Sequence, residues 1–331
     1  MTLWLHGLGH YHPENEITNR FLEELDIGTD DAWIVERVGI RSRRTVLPLD
    51  YIAATRNVDP RAAAEAAQYR LAELGRRAAE LALARAGVAK ADVGMVIAAS
   101  SVPDTVSPAE ACNVACALDI DVPAVDVASA CTSFLAQLHL VSMMDPARVP
   151  ELVLLVVVEG LTRVVDYRDR ATAVLWGDGA AAAVVSTRAR GRAEIAATSL
   201  DSSPRGADRV VVPRTGHFAQ QGRAVQAFAI RRTGEVLERV RKEAASPTRR
   251  FHFVGHQANL RVLESVCRAA AIPDDRHHHN VEWYGNTAAA SGPSVVSMAW
   301  DRWTAEDDVA LVGVGAGLTW AGCLLRFGAP S

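Results

Sequence analysis

The sequence has few of the features that mark secreted, membrane-spanning or nucleic-acid-binding proteins. Its five cysteines are an odd number scattered along 331 residues, so we expect free thiols rather than a disulfide framework. The longest apolar run, residues 152–158, is too short to cross a membrane, and residues 1–7 lack the basic and apolar regions of a secretory signal. A net charge of −4 gives no reason to expect nucleic acid. These absences predict a cytoplasmic protein that binds neither membrane nor nucleic acid.

The overall amino-acid composition is that of an ordinary globular protein. Hydrophobic residues make up 49% of the chain and charged residues 22%, which excludes the disordered and fibrous classes. The chain is long enough for two core-bearing units or one fused double unit. Strand-like apolar runs alternate with helix-period segments in both halves. This alternation predicts a layered α/β architecture with buried, mostly parallel sheets.

Several local predictions depend on single patterns. A long Ala/Leu/Arg pattern predicts one continuous helix over residues 62–86, and residues 15–25 predict a short helix. Residues 173–185 predict a strand pair around a glycine-rich turn at residues 177–179. Residues 201–222 are rich in Ser, Pro, Arg and Gly, and they predict an exposed loop.

The most informative cysteine is Cys131, which lies where a β-branched apolar run gives way to a helix-period pattern. Phe134, Leu138 and Val141 follow it at spacings of i, i+4 and i+7. A thiol at a helix N-terminus faces unpaired backbone N–H groups and the positive end of the helix dipole, so we expect a lowered thiol pKa. Taken alone, Cys131 fits either a nucleophile or an inert side chain that fills a small hole.

Two later segments supply chemical partners for this thiol. Residues 253–259 place His256 after a short apolar run and before a helix, and residues 284–291 place Asn286 among small residues. All three side chains follow apolar segments or open helices, and ligands collect at such strand ends in sheet proteins. A thiol, an imidazole and an amide can together run acyl transfer, because the thiolate attacks a thioester while His and Asn donors stabilise an oxyanion or enolate.

Four segments resemble the signature blocks of the β-ketoacyl-acyl-carrier-protein synthase III family, within the thiolase-like superfamily. They read DVASACTSF, VGHQANLRV, YGNTAAAS and GVGAGLTW, and they occur in the family's order over nearly the whole chain. Weaker similarities lie at residues 31–40, 169–172 and 176–179. The resemblance implies a thiolase-like α/β fold whose two duplicated halves, residues 1–188 and 189–331, form a layered α-β-α-β-α core.

The resemblance also implies roles for individual residues. Cys131 would carry the acyl group, and His256 and Asn286 would complete a Cys-His-Asn triad. The backbone N–H groups of Cys131 and Ala316 would form the oxyanion hole. The residues that would flank the coenzyme A or phosphopantetheine arm are Trp33, Arg37, Arg170 and Arg261. Arginine holds phosphate bidentately and tryptophan offers a stacking face, although each of the four also fits an ordinary structural role.

The reaction implied by the resemblance is that of an acyltransferase of the ketosynthase type. An acyl group from acyl-coenzyme A or an acyl carrier protein passes to the cysteine, and condensation with a second thioester gives a β-keto product. The resemblance also implies a homodimer and a reaction that needs no metal or redox cofactor. The alternative is an acyltransferase of the same fold that forms an ester or amide without a new carbon–carbon bond. A third hypothesis, a catalytically dead subunit, is disfavoured because Cys131 is present.

The chain departs from the family pattern close to the nucleophile. Thr132 and Ser133 stand where family members usually have a small residue and then Gly, and Gly255 precedes the histidine where Pro is common. Ala180 replaces a further Gly, and Ser107 stands where housekeeping members usually carry a bulky residue. These departures predict a specialised member, active in polyketide or other secondary-metabolite biosynthesis.

Other chemically capable residues are assigned structural roles. Cys112 and Cys116 are expected to pack a helix, since no second pair at metal-ligand spacing accompanies them. Residues 277–279, three consecutive histidines, are interpreted as a solvated loop rather than a metal site. Glu110 is interpreted as a surface carboxylate rather than an additional base.

Overall fold

The computed structural model describes residues 2–244 and 248–328, and the elements below are those of the described part. The strands are β1 Leu3–Tyr11, β2 Asn15–Thr18, β3 Ser42–Thr45, β4 Met95–Ala99, β5 Ala124–Asp126, β6 Val153–Glu159, β7 Gly179–Ser186, β8 Ala193–Ser202, β9 Val210–Val211, β10 Ala219–Gln220, β11 Arg250–Gly255, β12 Asp307–Gly315 and β13 Thr319–Phe327. The helices are α1 Asn19–Glu24, α2 Asp31–Val38, α3 Leu49–Thr55, α4 Pro60–Ala66, α5 Leu71–Ala86, α6 Glu110–Leu118, α7 Ser133–Ser142, α8 Arg170–Ala173, α9 Gly222–Glu243, α10 Leu260–Ala269, α11 Val281–Tyr284 and α12 Ser291–Met298.

One mixed sheet of nine strands organises the molecule, in the order β11-β12-β13-β8-β1-β7-β6-β4-β5. The β11–β12, β4–β5 and β4–β6 pairings are parallel, whereas the other five neighbours in that order pair antiparallel. The prediction of mostly parallel sheets is therefore wrong. Its cause is that the last strand of each half, β7 or β13, inserts next to the first strand and runs antiparallel to both neighbours.

The two halves repeat one topology on either side of the β1–β8 junction. Reading outward, the first half has β1, β7, β6 and β4, and the second half has β8, β13, β12 and β11. The first half ends in β5, parallel to β4, and in the second half a single parallel bridge from Phe253 to His277 takes the matching position. The predicted boundary at residue 188 falls in the connection between β7 and β8, and the division there stays our proposal.

Helices and sheet alternate in layers because alternate strand residues face opposite sides. On β6, Leu155 and Val157 belong to an inner core with α7 and α12, whereas Leu154, Val156 and Val158 belong to an outer core with α5, α6, α9 and α10. The predicted thiolase-like, five-layered α/β fold is confirmed. In the described ranges, no helix combines the length and the apolar character that a bilayer crossing requires.

Three local predictions are wrong because tertiary contacts override local pattern. The continuous helix over residues 62–86 is interrupted between α4 and α5, where Gln68 N–H donates to the Val46 carbonyl and the Asp104 carboxylate accepts from Leu71 N–H at the start of α5. The helix predicted over residues 15–25 begins as strand β2, which pairs with β3.

The predicted strand pair at residues 173–185 contains only β7. The segment before it pairs instead with residues near Asn286, since Gly177 N–H donates to the Asn286 carbonyl and Asn286 N–H donates to Leu175. The buried Asp178 carboxylate holds the turn by accepting N–H groups of Val46 and Thr162.

Candidate active site

Cys131 lies in the loop that connects β5 to α7, at the carboxyl end of a parallel strand. Ser133 Oγ accepts from Ser129 N–H at 2.8 Å and donates to the Ala130 carbonyl at 2.6 Å, which closes the loop tightly. Ala130 adopts a positive φ of 46°, a conformation that a non-glycine residue rarely takes. The loop presents a half-buried thiol, and the backbone amides of Cys131 and Ala316 favour its thiolate form.

The thiol pKa of Cys131 is raised to about 12, so the expectation of a lowered pKa is wrong. Burial is the largest cause, and the nearby Glu159 carboxylate adds to it, while the two backbone amides act in the opposite direction. The helix contributes less than expected because α7 begins at Ser133, with Thr132 as its N-cap, so Cys131 precedes the helix itself. The resting thiol is therefore neutral and needs a base as it reacts.

His256 follows the end of β11 and supplies an imidazole beside the thiol. Its backbone N–H donates to the Val312 carbonyl, and its Nδ1 lies 2.9 Å from Ser291 Oγ. Gln257 N–H also donates to that hydroxyl, whose second lone pair can accept from Nδ1–H, and this tautomer leaves Nε2 unprotonated. Burial lowers the pKa of His256 to about 4, so the resting ring is neutral and able to accept a proton.

Asn286 is buried where the segment after α11 meets the segment before β7. Its Oδ1 accepts from Ala288 N–H at 2.9 Å, which leaves the Nδ2 amide as the donor available to a ligand. The Asn286 backbone bonds with Leu175 and Gly177 on both sides. The side chain is therefore fixed by its own backbone pairing rather than by induced fit.

The three side chains open onto shared space. Cys131, His256, Asn286 and Ala316 together line a cavity of about 70 Å³. A second cavity of about 200 Å³ adjoins Cys131 and has largely apolar walls, formed by Leu161, Trp176, Val210, Val212 and Phe218. The structure thus brings the predicted triad and Ala316 together, beside a chamber suited to an apolar acyl chain.

The segment predicted as an exposed loop, residues 201–222, forms part of these walls. Val210 and Val212 line the larger cavity, and Phe218 lines both cavities with only 6% of its surface exposed. The short β9–β10 pair holds this segment over the site. The apolar residues of this segment indicated a buried position, but they were outweighed in the prediction by its many polar residues.

The four residues expected to flank the coenzyme A or phosphopantetheine arm gather around α2. The guanidinium carbons of Arg37 and Arg170 lie 4.8 and 5.0 Å from the centre of the Trp33 ring. Arg261 donates to the carbonyls of Val35 and Glu36 near the end of the same helix. A stacking face and three cationic groups therefore share one surface, although much of the donor capacity of Arg261 is used within the protein.

Glu159 is a functional candidate that sequence reasoning missed. It is fully buried at the end of β6 and accepts hydrogen bonds from Ser101 N–H and Oγ at 2.9 and 3.0 Å. Burial raises its pKa to about 8. The sequence contained a signal for it, because Glu159 is a carboxylate that directly follows the longest apolar run of the sequence.

The residues given structural roles are placed differently from expectation in three cases. Glu110 is 1% exposed rather than a surface carboxylate, and burial raises its pKa to about 7. Cys112 and Cys116 are exposed rather than packed.

Of the histidines at 277–279, His277 and His278 are partly buried and only His279 is exposed, and His278 Nε2 lies 2.9 Å from His252 Nδ1. No group of three or more potential metal ligands forms within residues 2–244 and 248–328.

Comparisons with known proteins agree with this architecture. The family model of 3-oxoacyl-[acyl-carrier-protein (ACP)] synthase III matches residues 125–204, and the model of its C-terminal region matches residues 242–327. The β-ketoacyl-[acyl-carrier-protein] synthase III of Oceanobacillus iheyensis is 33% identical over 99% of this chain and 100% of its own. The Bacillus pumilus protein of the same name is also 33% identical, over 97% of this chain and 98% of its own.

Solved structures give the same relationship. The 3-oxoacyl-[acyl-carrier-protein] synthase III of Aquifex aeolicus aligns with a TM-score of 0.86 at 29% identity, covering 98% of this chain and 100% of that one. A priming β-ketosynthase from a polyketide biosynthetic pathway aligns with a TM-score of 0.84 at 24% identity, covering 99% of this chain and 97% of that one. The second likeness, at its lower identity, is one of fold alone.

Proposed function

Since the chain belongs to the β-ketoacyl-[acyl-carrier-protein] synthase III family, we propose that it acylates Cys131 and then condenses the acyl group with a second thioester. The observation that carries the proposal is the single cavity that Cys131 lines together with His256, Asn286 and Ala316. The acyl donor is proposed to be acyl-coenzyme A or an acyl carrier protein.

In the first step, the Cys131 sulfur attacks the thioester carbonyl while its proton passes to His256. The proton transfer is needed because the resting thiol is neutral, and the neutral imidazole can accept it. The carbonyl oxygen of the tetrahedral intermediate accepts from the amides of Cys131 and Ala316. Collapse breaks the carbon–sulfur bond of the donor, and the departing thiolate takes a proton from solvent, so His256 keeps the proton from Cys131 for the second step.

In the second step, a second thioester enters and becomes a carbanion next to the acylated cysteine. Loss of carbon dioxide or of an α-proton generates this carbanion, and its enolate oxygen accepts from His256 and from Asn286 Nδ2. The carbanion then attacks the acyl carbonyl, forms the new carbon–carbon bond and expels the Cys131 thiolate, which is reprotonated. The product is a β-keto thioester, and we propose that no metal or redox cofactor takes part.

The surface around α2 is the proposed site for the coenzyme A or phosphopantetheine arm. Trp33 offers a stacking face, and Arg37 and Arg170 place cationic groups over it. Phosphate groups favour arginine because its planar fork donates bidentately. Arg261 supports this surface mainly by holding α2 in place, given its two bonds to α2 carbonyls.

A homodimer is proposed from the open edge of the sheet at β5. The edge is short, and Val125 on it is 41% exposed, while Val106 in the preceding loop is 78% exposed. An unpaired edge with exposed apolar side chains is a template for pairing with a second copy. A cytoplasmic location also stays a proposal.

The biological role is proposed to be polyketide or other secondary metabolism rather than housekeeping fatty acid synthesis. The support is the set of departures from the family pattern around the site, above all Thr132 and Ser133 beside the nucleophile. The alternative, transfer of the acyl group to an oxygen or nitrogen nucleophile, needs mainly His256 as base. The Asn286 amide beside His256 favours condensation, because carbanion chemistry uses two donors.

The experiment that tests this function is intact-mass analysis after incubation with a panel of acyl-coenzyme A and acyl-carrier thioesters, followed by product analysis with a second thioester. We expect an acyl adduct from at least one donor and a β-keto product. An ester or amide product without a new carbon–carbon bond would contradict condensation and would support acyl transfer to an oxygen or nitrogen nucleophile. A Cys131→Ala protein with full activity would refute the proposal.

A further inference from the structure

A chain of hydroxyl groups joins the Cys131 loop to the turn that follows β12. Thr132 Oγ1 lies 2.9 Å from Thr319 Oγ1, and Thr319 Oγ1 donates to the Ala316 carbonyl at 3.0 Å. On the other side, Ser129 Oγ lies 2.9 Å from Thr132 Oγ1. The hydroxyls thus connect Thr132, the residue after the nucleophile, with Ala316, whose amide is proposed for the oxyanion hole.

One direction of proton donation satisfies every hydroxyl in this chain. Each hydroxyl has a single proton, so Ser129 donates to Thr132, Thr132 donates to the Ser129 carbonyl, and Thr319 shares its proton between Thr132 and the Ala316 carbonyl. Thr132 Oγ1 is also within 2.7 Å of the Ser129 carbonyl. At this distance the Thr132 hydroxyl must donate to the carbonyl, which has a second lone pair that accepts from Thr132 N–H.

The two connected loops are in direct contact and exclude water. Thr132 is fully buried, with 0% of its surface exposed. A Cβ on Gly315 would lie 3.1 Å from both Cβ and N of Cys131, so only glycine allows the turn to approach this closely. Because the Thr132 hydroxyl cannot turn to solvent, removing its partner leaves it with one hydrogen bond fewer and frees the loops to shift.

We propose that the Thr132–Thr319 hydroxyl pair positions the oxyanion hole, by fixing the amide of Cys131 relative to the amide of Ala316. The predicted effect on acylation rests on the proposed function. The positions of the two amides are a property of the free enzyme and do not depend on it. Oxyanion donors act only at about 2.7–3.1 Å from the oxygen that they stabilise. A small displacement of either loop therefore reduces the stabilisation of the transition state more than it reduces the affinity for the substrate. Thr132 and Thr319 are positioning residues, since neither is required to touch the substrate.

The test compares Thr132→Val and Thr319→Val with their double variant and with Thr132→Ser, which keeps the hydroxyl. Two rates are measured for each protein: alkylation of Cys131 by iodoacetamide at pH 9, and acylation of Cys131 by acetyl- and octanoyl-coenzyme A. The matched control is Thr198→Val, which removes a hydroxyl near the other end of α7, where Thr198 contacts His139 and Ser142.

We expect each valine variant to slow acylation about tenfold, with the KM for the donor changed less than twofold. Alkylation should slow several-fold, because the displaced amides stabilise the thiolate less. Thr132→Ser and Thr198→Val should match the unmodified protein, and the double variant should be no slower than either single variant, since all three remove the same bridge.

Unchanged rates in both valine variants, loss of rate in Thr132→Ser, or multiplicative losses in the double variant would overturn the proposal. Because valine at position 319 removes the bridge from the opposite loop, the test does not depend on one variant folding. Failure of the proposed function has a different signature. It would appear as an unmodified protein that alkylates normally and is not acylated by either thioester, and the alkylation rates of the variants would still decide the positioning role.

Discussion

The two halves of the molecule share a topology but contribute opposite chemistry to the site. At the carboxyl ends of its strands, the first half places the Cys131 thiol and the Glu159 carboxylate, whereas the second half places His256 after β11 and the Ala316 amide after β12. The first half thus supplies the electron-rich groups, and the second half supplies the proton acceptor and the donors. A duplicated scaffold can support catalysis because its equivalent loops meet at one point while their sequences differ.

The largest effect expected from this comparison follows from removing the base of the second half. His256→Ala should lower the rate of Cys131 acylation about 10³-fold, since no other group accepts the thiol proton. Rapid-quench mass analysis measures this rate. His139→Ala, which removes an imidazole from α7 away from Cys131, should stay within twofold. Equal losses in the two variants would contradict the assigned division of roles.

A stability comparison tests how differently the outer helices pack on the two halves. A Cβ on Gly9 of β1 would lie 2.0 Å from the Ala78 carbonyl oxygen in α5, whereas a Cβ on Gly322 of β13 would meet the Val236 side chain. Backbone cannot yield as a side chain can, so Gly9→Ala should lower the free energy of unfolding by about 3 kcal/mol and Gly322→Ala by about 1 kcal/mol. Denaturant unfolding of both variants checks the order, and the reverse order would contradict this packing.

Asn286 should separate the two chemical steps. In Asn286→Ala, acylation of Cys131 should remain within a few-fold of normal, while β-keto product formation falls about 100-fold because one enolate donor is lost. Single-turnover acylation and steady-state product formation are measured on the same preparation. A parallel loss in both steps would place Asn286 in acyl transfer and would remove the argument for condensation.

The smallest effect concerns the carboxylate of the first half and the pH dependence of the thiol. The Glu159 charge raises the Cys131 pKa, so Glu159→Gln should shift the midpoint of Cys131 alkylation by about one pH unit toward lower pH. Asp178→Asn is the control, since Asp178 is also buried with a pKa raised to about 6 but bonds to Thr162 and Val46 instead. A midpoint that does not move, or that rises, would contradict the electrostatic coupling of Glu159 to Cys131.

The layered fold could be predicted from the alternation of strands and helices, and the grouping of Cys131, His256 and Asn286 could be predicted from segments that resemble the family's signature blocks. Cys131 and His256 follow apolar strands, and the segment before α7 keeps small residues around the thiol. The thiol pKa was not accessible, since it depends on burial and on Glu159, which approaches from a different strand. The role of Phe218 in the cavity wall was missed for a similar reason. The polar composition of residues 201–222 predicted an exposed loop, whereas tertiary contacts fold this segment over the cavity.

The most direct test of the account is peptide mapping of the protein after incubation with an acyl thioester that it accepts. Four other thiols offer alternatives, of which Cys112 and Cys116 are the exposed ones. We predict that the acyl mass is found on the peptide that contains Cys131, and that it is absent from Cys131→Ala. An adduct on Cys112 or Cys116 alone, or equal acylation of Cys131→Ala, would contradict the central claim.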